Sequence, residues 1–271
     1  MSELARNAAE IVLAAAREAS ALVMGVYAAQ FDVSYKGKDD PVTRADHESN
    51  ALIVDRLSRA FPGIPIVAEE SDPASYAGFA DADTAWFVDP LDGTREFVAR
   101  NGEFAVMIGL AERGRATLGV ITAPAWGRAF VGVVGEGAWE VAVDGKRTPI
   151  HVSTRGTPQG ASIVVSRSRT PPQLAAMTTT IGVSAPVALG SSGLKAAVVA
   201  TGDYDIYFQP GRAGMRWDSC PSDALVRAAG GVLTETSGAP IDYRDPDIVN
   251  HGGLLATNGL LHAGVVQALR A

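Results

Sequence analysis

The sequence predicts an α+β arrangement in its first half and an α/β arrangement in its second, with the change near residues 153–160. Three patterns carry this. Two stretches of helical periodicity come before residue 62. From Phe104 to Val152 apolar runs alternate with turn residues, as in an antiparallel meander. After Ser153 short apolar runs alternate with helix-like segments, as in α/β folds.

Leu4, Ala8, Ile11, Ala15, Leu22 and Val26 fall on one helical face, so residues 4–26 are expected to be helix. A charged loop, Lys36 to Asp40, follows between Gly37 and Pro41. Leu52, Ile53, Leu57, Ala60 and Phe61 form the stripe of a second helix, 47–61, which Phe61-Pro62-Gly63 ends. Ile64–Ala68 reads as a short strand running into Glu69-Glu70, and 71–84 as a loop. Trp86-Phe87-Val88 is a buried strand stopped by Asp89-Pro90. Gly114, Pro124, Gly127, Gly135, Gly137 and Asp144-Gly145 divide 104–152 into about five strands. Beyond Ser153 the expected order is strand 161–165, helix 171–180, strand 186–189, helix 193–200, strand 205–208, helix 221–229, strands 232–235 and 254–257, and helix 260–269. The two parts, 1–155 and 156–271, are expected to share an interface and form one unit.

The 271 residues include 23 Lys+Arg and 30 Asp+Glu, a net charge of −7, with 47% hydrophobic and 20% charged residues. That balance folds into a core and excludes a disordered chain. The sign of the charge argues against a nucleic acid polymer as partner. The N-terminus lacks a basic segment followed by an apolar one, and residues 170–194 are interrupted by Pro171, Pro172 and Pro186. No membrane association and a cytoplasmic location are therefore expected. The single cysteine, Cys220, excludes an intrachain disulfide.

The most informative segment is Trp86-Phe87-Val88-Asp89-Pro90-Leu91-Asp92-Gly93-Thr94. A buried strand delivers Asp89, Pro90 interrupts it, and Asp92 follows at once. Two carboxylates so close repel, and need protons or cations. Hard divalent ions accept carboxylate oxygens and keep waters that substrate phosphate can displace. Gly93-Thr94 opens a turn or helix whose N–H groups favour an anion. Asp-Pro-x-Asp-Gly is also ordinary turn chemistry; Glu69-Glu70, at the end of another strand, favours a site.

These residues resemble the signature of the inositol monophosphatase-like superfamily of metal-dependent phosphatases. Trp217-Asp218-Ser219-Cys220-Pro221, leading into Ala228-Ala229-Gly230-Gly231, resembles its second motif. Asp40-Pro41-Val42-Thr43-Arg44-Ala45-Asp46 resembles a third. Within the superfamily, Thr94 to Phe104, Ser166-Arg167-Ser168 and Gly190-Ser191-Ser192-Gly193-Leu194-Lys195 are similar to the bacterial 3′(2′),5′-bisphosphate nucleotidases, which clear 3′-phosphoadenosine 5′-phosphate, a by-product of sulfate assimilation.

The resemblance implies a layered α-β-α-β sandwich, lithium sensitivity and two or three Mg²⁺ ions. Glu69, Asp89 and the Leu91 carbonyl would bind a first ion. Asp89, Asp92 and Asp218 would bind a second, and Glu69 with Asp46 would help to hold a third. Asp46 and Thr94 would position and deprotonate the attacking water, with Glu70 acting through water. Gly93, Thr94, Ser166, Ser191, Ser192, Lys195 and Asp218 would contact the substrate, a small phosphate ester, in a monomer or homodimer. Asp46 and Asp218 could instead be helix caps, and Lys195 an ordinary snorkelling lysine. The chain departs from the nucleotidase pattern at Arg169, where many relatives have His, and at Gln209, where many have Arg. Arg212 or Arg216 could compensate for the latter.

The alternative enzyme is an inositol-1-phosphate, histidinol-phosphate or other sugar-phosphate phosphatase of the same superfamily. Haloacid-dehalogenase chemistry would need a nucleophilic Asp two residues before Asp92, where Pro90 stands. A non-catalytic phosphate- or metal-binding descendant would have lost a ligand, yet the full carboxylate set is present.

Overall fold

The computed structural model describes residues 2–37, 40–167 and 181–270. The helix expected at 171–180, together with Ser168 and Arg169, lies outside the described residues. Helix α1 (Glu3–Ala28) starts at Ser2, whose side chain accepts from the Ala5 N–H. It packs against α2 (Arg44–Ala60) and one face of a seven-stranded sheet. By length and composition α1 could cross a membrane, but Ala8, Val12, Ala16, Ala19 and Val23 are buried inside the fold.

The expected charged loop is largely a hairpin: β1 (Val33–Gly37) pairs antiparallel with β2 (Asp40–Thr43). The seven-stranded sheet is built from β3 (Ile66–Ala68), β4 (Thr84–Asp92), β5 (Ala105–Glu112), β6 (Arg115–Ala123), β7 (Arg128–Val133), β8 (Gly137–Val141) and β9 (Arg147–Ile150), in that spatial order. Only β3–β4 is parallel; from β4 onward the sheet is an antiparallel meander. Its strands read as continuous apolar runs because both faces are covered. Trp86, Val88, Ile108 and Val120 face α1 and α2, while Phe87, Met107, Ile121 and Phe130 face the opposite helical layer. Each fully buried side chain of this size contributes roughly 1.5–3 kcal/mol.

The second sheet has the order β11-β10-β12-β14-β13, built from β10 (Ile163–Ser166), β11 (Val187–Leu189), β12 (Ile206–Gln209), β13 (Val232–Thr234) and β14 (Leu254–Thr257). It is mixed: β10 runs parallel to β11 and β12, whereas β14 is antiparallel to both β12 and β13. Helices α4 (Ser192–Ala200) and α5 (Arg216–Ala228) lie between the two sheets. On the far face of the second sheet, Val265 and Val266 of α6 (His262–Arg270) pack on Ile163, Val165, Ile206 and Phe208. Among the described residues the layers are thus α-β-α-β, with α6 outside. Short α3 (Thr94–Val98) follows β4 directly.

Helix α5 begins at Arg216, five residues earlier than the sequence pattern suggests, with Pro221 inside it. Proline costs one helical hydrogen bond there. What holds the helix is close packing against a row of three register-paired glycines, Gly109, Gly119 and Gly132, on β5, β6 and β7. A Cβ on Gly119 would lie 2.1 Å from the Pro221 carbonyl oxygen, and one on Gly132 2.7 Å from Leu225 Cα. Backbone therefore lies almost on backbone, which brings Asp218, near the start of α5, against the end of β4.

Candidate active site

In a regular strand, residues three apart point to opposite faces. Asp89 and Asp92 escape this because β4 carries an extra residue. Asp89 pairs with Met107 and Asp92 with Ala105, so three steps on β4 match two on β5. This bulge at Pro90-Leu91 turns both carboxylates toward one end of the sheet. The Ser49 hydroxyl donates to the Pro90 carbonyl at 3.0 Å, and the Leu91 N–H donates to Asp89 Oδ1 at 3.0 Å. Asp218, on α5, completes the group: carboxylate oxygens of Asp89, Asp92 and Asp218 all lie within 4.8 Å of one another. Asp218 is neither exposed nor the N-cap. It stands at the third helical position, and its Oδ2 accepts from the Met215 N–H at 2.7 Å.

Asp46 is likewise not an N-cap, the position belonging to Thr43. Asp46 Oδ2 accepts from the Thr43 N–H at 2.8 Å and its hydroxyl at 2.7 Å, leaving Oδ1 for the Thr94 hydroxyl at 3.0 Å. Thr94 Oγ1 also lies 3.1 Å from the Leu91 carbonyl oxygen. Glu69 and Glu70 follow β3, and Lys36 of the β1–β2 hairpin bridges them, 3.0 Å from Glu69 and 2.5 Å from Glu70. Sequence reasoning missed Lys36, because its partners lie over thirty residues away and a charged loop residue carries no pairing signal.

A cleft opens beside these acids; Asp92, Gly93, Thr94, Ser166, Lys195 and Asp218 are among its walls. Ser191 caps α4 and donates to Asp92 Oδ2 at 2.5 Å; the Gly193 N–H gives that oxygen a second bond at 2.8 Å. The N–H groups of Gly193 and Leu194 at the start of α4 are thus spent on Asp92 and on the Ser191 cap. The Ser192 hydroxyl lies 3.3 Å from that of Tyr207.

Lys195 does not snorkel. It is 3% exposed, donates to the Ser191 carbonyl, and lies 5.3 Å from the centre of the Tyr207 ring. Gln209 lines the cleft, but neither Arg212 nor Arg216 is among its walls. Arg216 points instead to Asn250, at 2.6 Å. Glu96, a buried acid of the cleft wall packed against Gly190, was also missed; it reads as an ordinary first-turn helix acid.

Burial pushes the carboxyls of Asp89 and Asp218 well above the usual range, and the neighbouring acids push them further. Burial raises Glu69 to about 7 against the opposing pull of Lys36. Asp46 is raised by burial despite its threonine donors. Lys195 is pushed down to about 8 by burial, with Asp92, Glu96 and Asp218 pulling the other way. The Cys220 thiol is driven up by burial and then by Asp223, so it is a packed side chain and not a nucleophile.

A model of the inositol monophosphatase family matches residues 5–271. The chain belongs to that family. The 3′(2′),5′-bisphosphate nucleotidase CysQ of Escherichia coli O157:H7 is 36% identical over 230 residues, 84% of this chain and 90% of that protein. The protein of the same name from Salmonella typhimurium is 36% identical over 236 residues, 86% and 93% of the two chains. Among solved structures, CysQ from Bacteroides thetaiotaomicron superposes with a TM-score of 0.78 at 28% identity, covering 94% of this chain and 98% of that one. Inositol monophosphatase from Anabaena gives 0.79 at 29% identity, covering 98% and 96%.

The inositol monophosphatase family is metal-dependent, and the cluster here fits a hard divalent ion. Its donors are all carboxylate oxygens, the set that Mg²⁺ takes. Three acids this close, Asp89 and Asp92 buried and Asp218 partly so, carry a charge that protons or cations must offset.

Proposed function

We propose that this member of the inositol monophosphatase family removes the 3′-phosphate of 3′-phosphoadenosine 5′-phosphate, with Mg²⁺ as cofactor, giving AMP and phosphate. The observation that carries the chemistry is the convergence of Asp89, Asp92 and Asp218 beside the hydrogen-bonded pair Asp46–Thr94. Identity of 36% to proteins named bisphosphate nucleotidases supports the substrate. Glu69, Asp89 and the Leu91 carbonyl would hold one ion. Asp89, Asp92 and Asp218 would hold a second, and Glu69 with Asp46 a third. When bound, Mg²⁺ supplies positive charge for the phosphoryl oxygens and acidity for water.

The chain's own part is to place a proton acceptor. A threonine hydroxyl is too weak a base by itself. Thr94 Oγ1 takes the proton of the attacking water while passing its own to Asp46 Oδ1. Asp46 is fixed for this by two bonds from Thr43 to its other oxygen. A bond forms between the water oxygen and phosphorus, the bond to the ribose 3′-oxygen breaks, that oxygen takes a proton from solvent water, and Asp46 returns its proton to solvent, so one water is split across the two products. Pro90 leaves no carboxylate for a phosphoenzyme at the position such chemistry requires. Gly93, Thr94, Ser166, Ser192 and Lys195 are the proposed substrate contacts; Ser191 acts by holding Asp92 and Glu70 by holding Lys36.

One feature of the cleft favours a second substrate class, an inositol phosphate or other small sugar phosphate: the wall carries neutral Gln209 where the nucleotidase pattern has Arg. Phosphate release from 3′-phosphoadenosine 5′-phosphate, measured with Mg²⁺ and then with excess chelator, tests the proposal. Release that stops on chelation supports it, and metal-independent release contradicts it.

A further inference from the structure

We infer that Asn250 is a positioning residue for Asp218, with Arg216 as its partner. This deepens the proposed function and rests on Asp218 being a cation ligand. Asp218 is carried by the segment Ala213–Ser219, a turn leading into α5, and Asn250 reaches that segment through every polar atom it has. Its backbone N–H donates to the Gly214 carbonyl at 3.0 Å, and its carbonyl accepts from the Ala213 N–H at 2.9 Å. Side-chain Nδ2 donates to the carbonyls of Ala213 at 3.2 Å and Met215 at 2.6 Å. Oδ1 accepts from Arg216 Nη1 at 2.6 Å and from the Ser219 hydroxyl at 3.2 Å.

An amide has two donors and two acceptor sites, and here all four are used on one seven-residue stretch. Asn250 is 1% exposed, so water cannot take its place without opening the fold. The segment in turn fixes the carboxylate. Gly214 sits at φ +71°, and a Cβ there would lie 2.5 Å from Asp218 Oδ2. The Met215 N–H holds that same oxygen. Any slide of the turn therefore moves the carboxylate with it.

Arg216 strengthens the case. It is the first residue of α5, where the helix dipole disfavours a positive charge, and it is buried. Helix stability does not explain a cation at that place. Its partners do: Asn250 Oδ1, and the Asp245 carboxylate at 3.7 Å on the same returning loop. The loop 245–250 is thereby tied to the start of α5, and the Arg216 N–H adds a bond to the Ile248 carbonyl at 2.7 Å.

Groups that orient a metal ligand typically change affinity by 10- to 100-fold when removed. The test is calorimetric titration of Mg²⁺ into the full chain without substrate, with kcat, KM and thermal stability measured in parallel. Asn250→Ala and Arg216→Met should each weaken Mg²⁺ binding by at least about 10-fold. Both should leave KM at saturating Mg²⁺ within about twofold. Arg216→Lys, which keeps a donor for Oδ1, should recover most of the affinity. Ile53→Ala, a core substitution in α2 on the opposite face of the large sheet, should lower thermal stability with Mg²⁺ affinity unchanged. If Asn250→Ala does not fold, the two Arg216 variants decide the matter. Wild-type Mg²⁺ affinity in Arg216→Met, or equal losses in Ile53→Ala, would overturn the proposal. Absence of Mg²⁺ binding in the wild type would overturn the metal assignment itself, and this proposal with it.

Discussion

Thr94 donates its hydroxyl to Asp46 Oδ1 at 3.0 Å, although 48 positions separate the two residues in the chain. The contact joins the first residue of α3 to the first turn of α2, at the edge of the acidic cluster. If this pair accepts the proton of the attacking water, Thr94→Ala should lower kcat by about 10²- to 10⁴-fold, the usual worth of general base catalysis. Thr94→Ser should restore most of it, and Mg²⁺ affinity should be unchanged in both. Near-normal kcat in Thr94→Ala would remove Thr94 from the mechanism.

Asp89→Asn tests the ligand assignment. Asp89 is the proposed ligand of two ions, so one substitution weakens both. A loss of about 10³-fold or more in rate is expected, along with a higher Mg²⁺ requirement. Steady-state rates across a Mg²⁺ series check this. Ordinary turnover at ordinary Mg²⁺ in that variant would be incompatible with the assignment.

The buried acids also make a prediction about stability. A carboxyl whose pKa rises on folding imposes no penalty below its unfolded value near 4; the penalty grows as pH rises from there and is complete once pH has risen through its folded value. Glu69 is raised to about 7, and Asp89 and Asp218 are raised well above the usual range. The metal-free chain therefore carries a penalty that grows between pH 5 and 8, and cations at the cluster offset it. The increase in Tm on adding Mg²⁺ should become larger from pH 5 to pH 8. Taking that difference cancels groups away from the cluster, such as His262, whose pKa burial lowers. An increase that is flat or shrinks with pH would show that the raised acids are not the cation site.

Lys195 bears on specificity. Among the described residues it is the buried cation of the cleft wall, and a second phosphate on the substrate needs a positive partner in a chain of net charge −7. Lys195→Met should lower kcat/KM for 3′-phosphoadenosine 5′-phosphate by about 1.5–3 kcal/mol, the worth of a charge-assisted hydrogen bond. It should hardly change 2′-AMP. Because burial holds this lysine near 8, wild-type preference for the bisphosphate should decline as pH rises through that value. Equal losses on both substrates would make Lys195 structural.

Much of this was legible in the sequence because the signals are local. The five strands of the meander follow from turn residues at short intervals, and Asp89 and Asp92 announce themselves within one hexapeptide. The missing parts depend on contacts between distant segments. Pro221 suggests a helix start, and only the glycine row on β5–β7 explains why α5 begins earlier and tolerates a proline. Ser191 reads as a phosphate contact until Asp92, 99 positions away, is seen to accept its hydroxyl. Asn250 has no motif at all; its meaning lies in the turn that it grips.

The ratio of kcat/KM for 3′-phosphoadenosine 5′-phosphate to that for inositol 1-phosphate, both measured with saturating Mg²⁺ and with AMP identified as the product of the first, tests the proposed substrate. A bisphosphate nucleotidase should favour the nucleotide by 10-fold or more, since one charge-assisted contact to the second phosphate supplies roughly that factor. A ratio below one would contradict the proposed substrate and assign the cleft to a sugar phosphate.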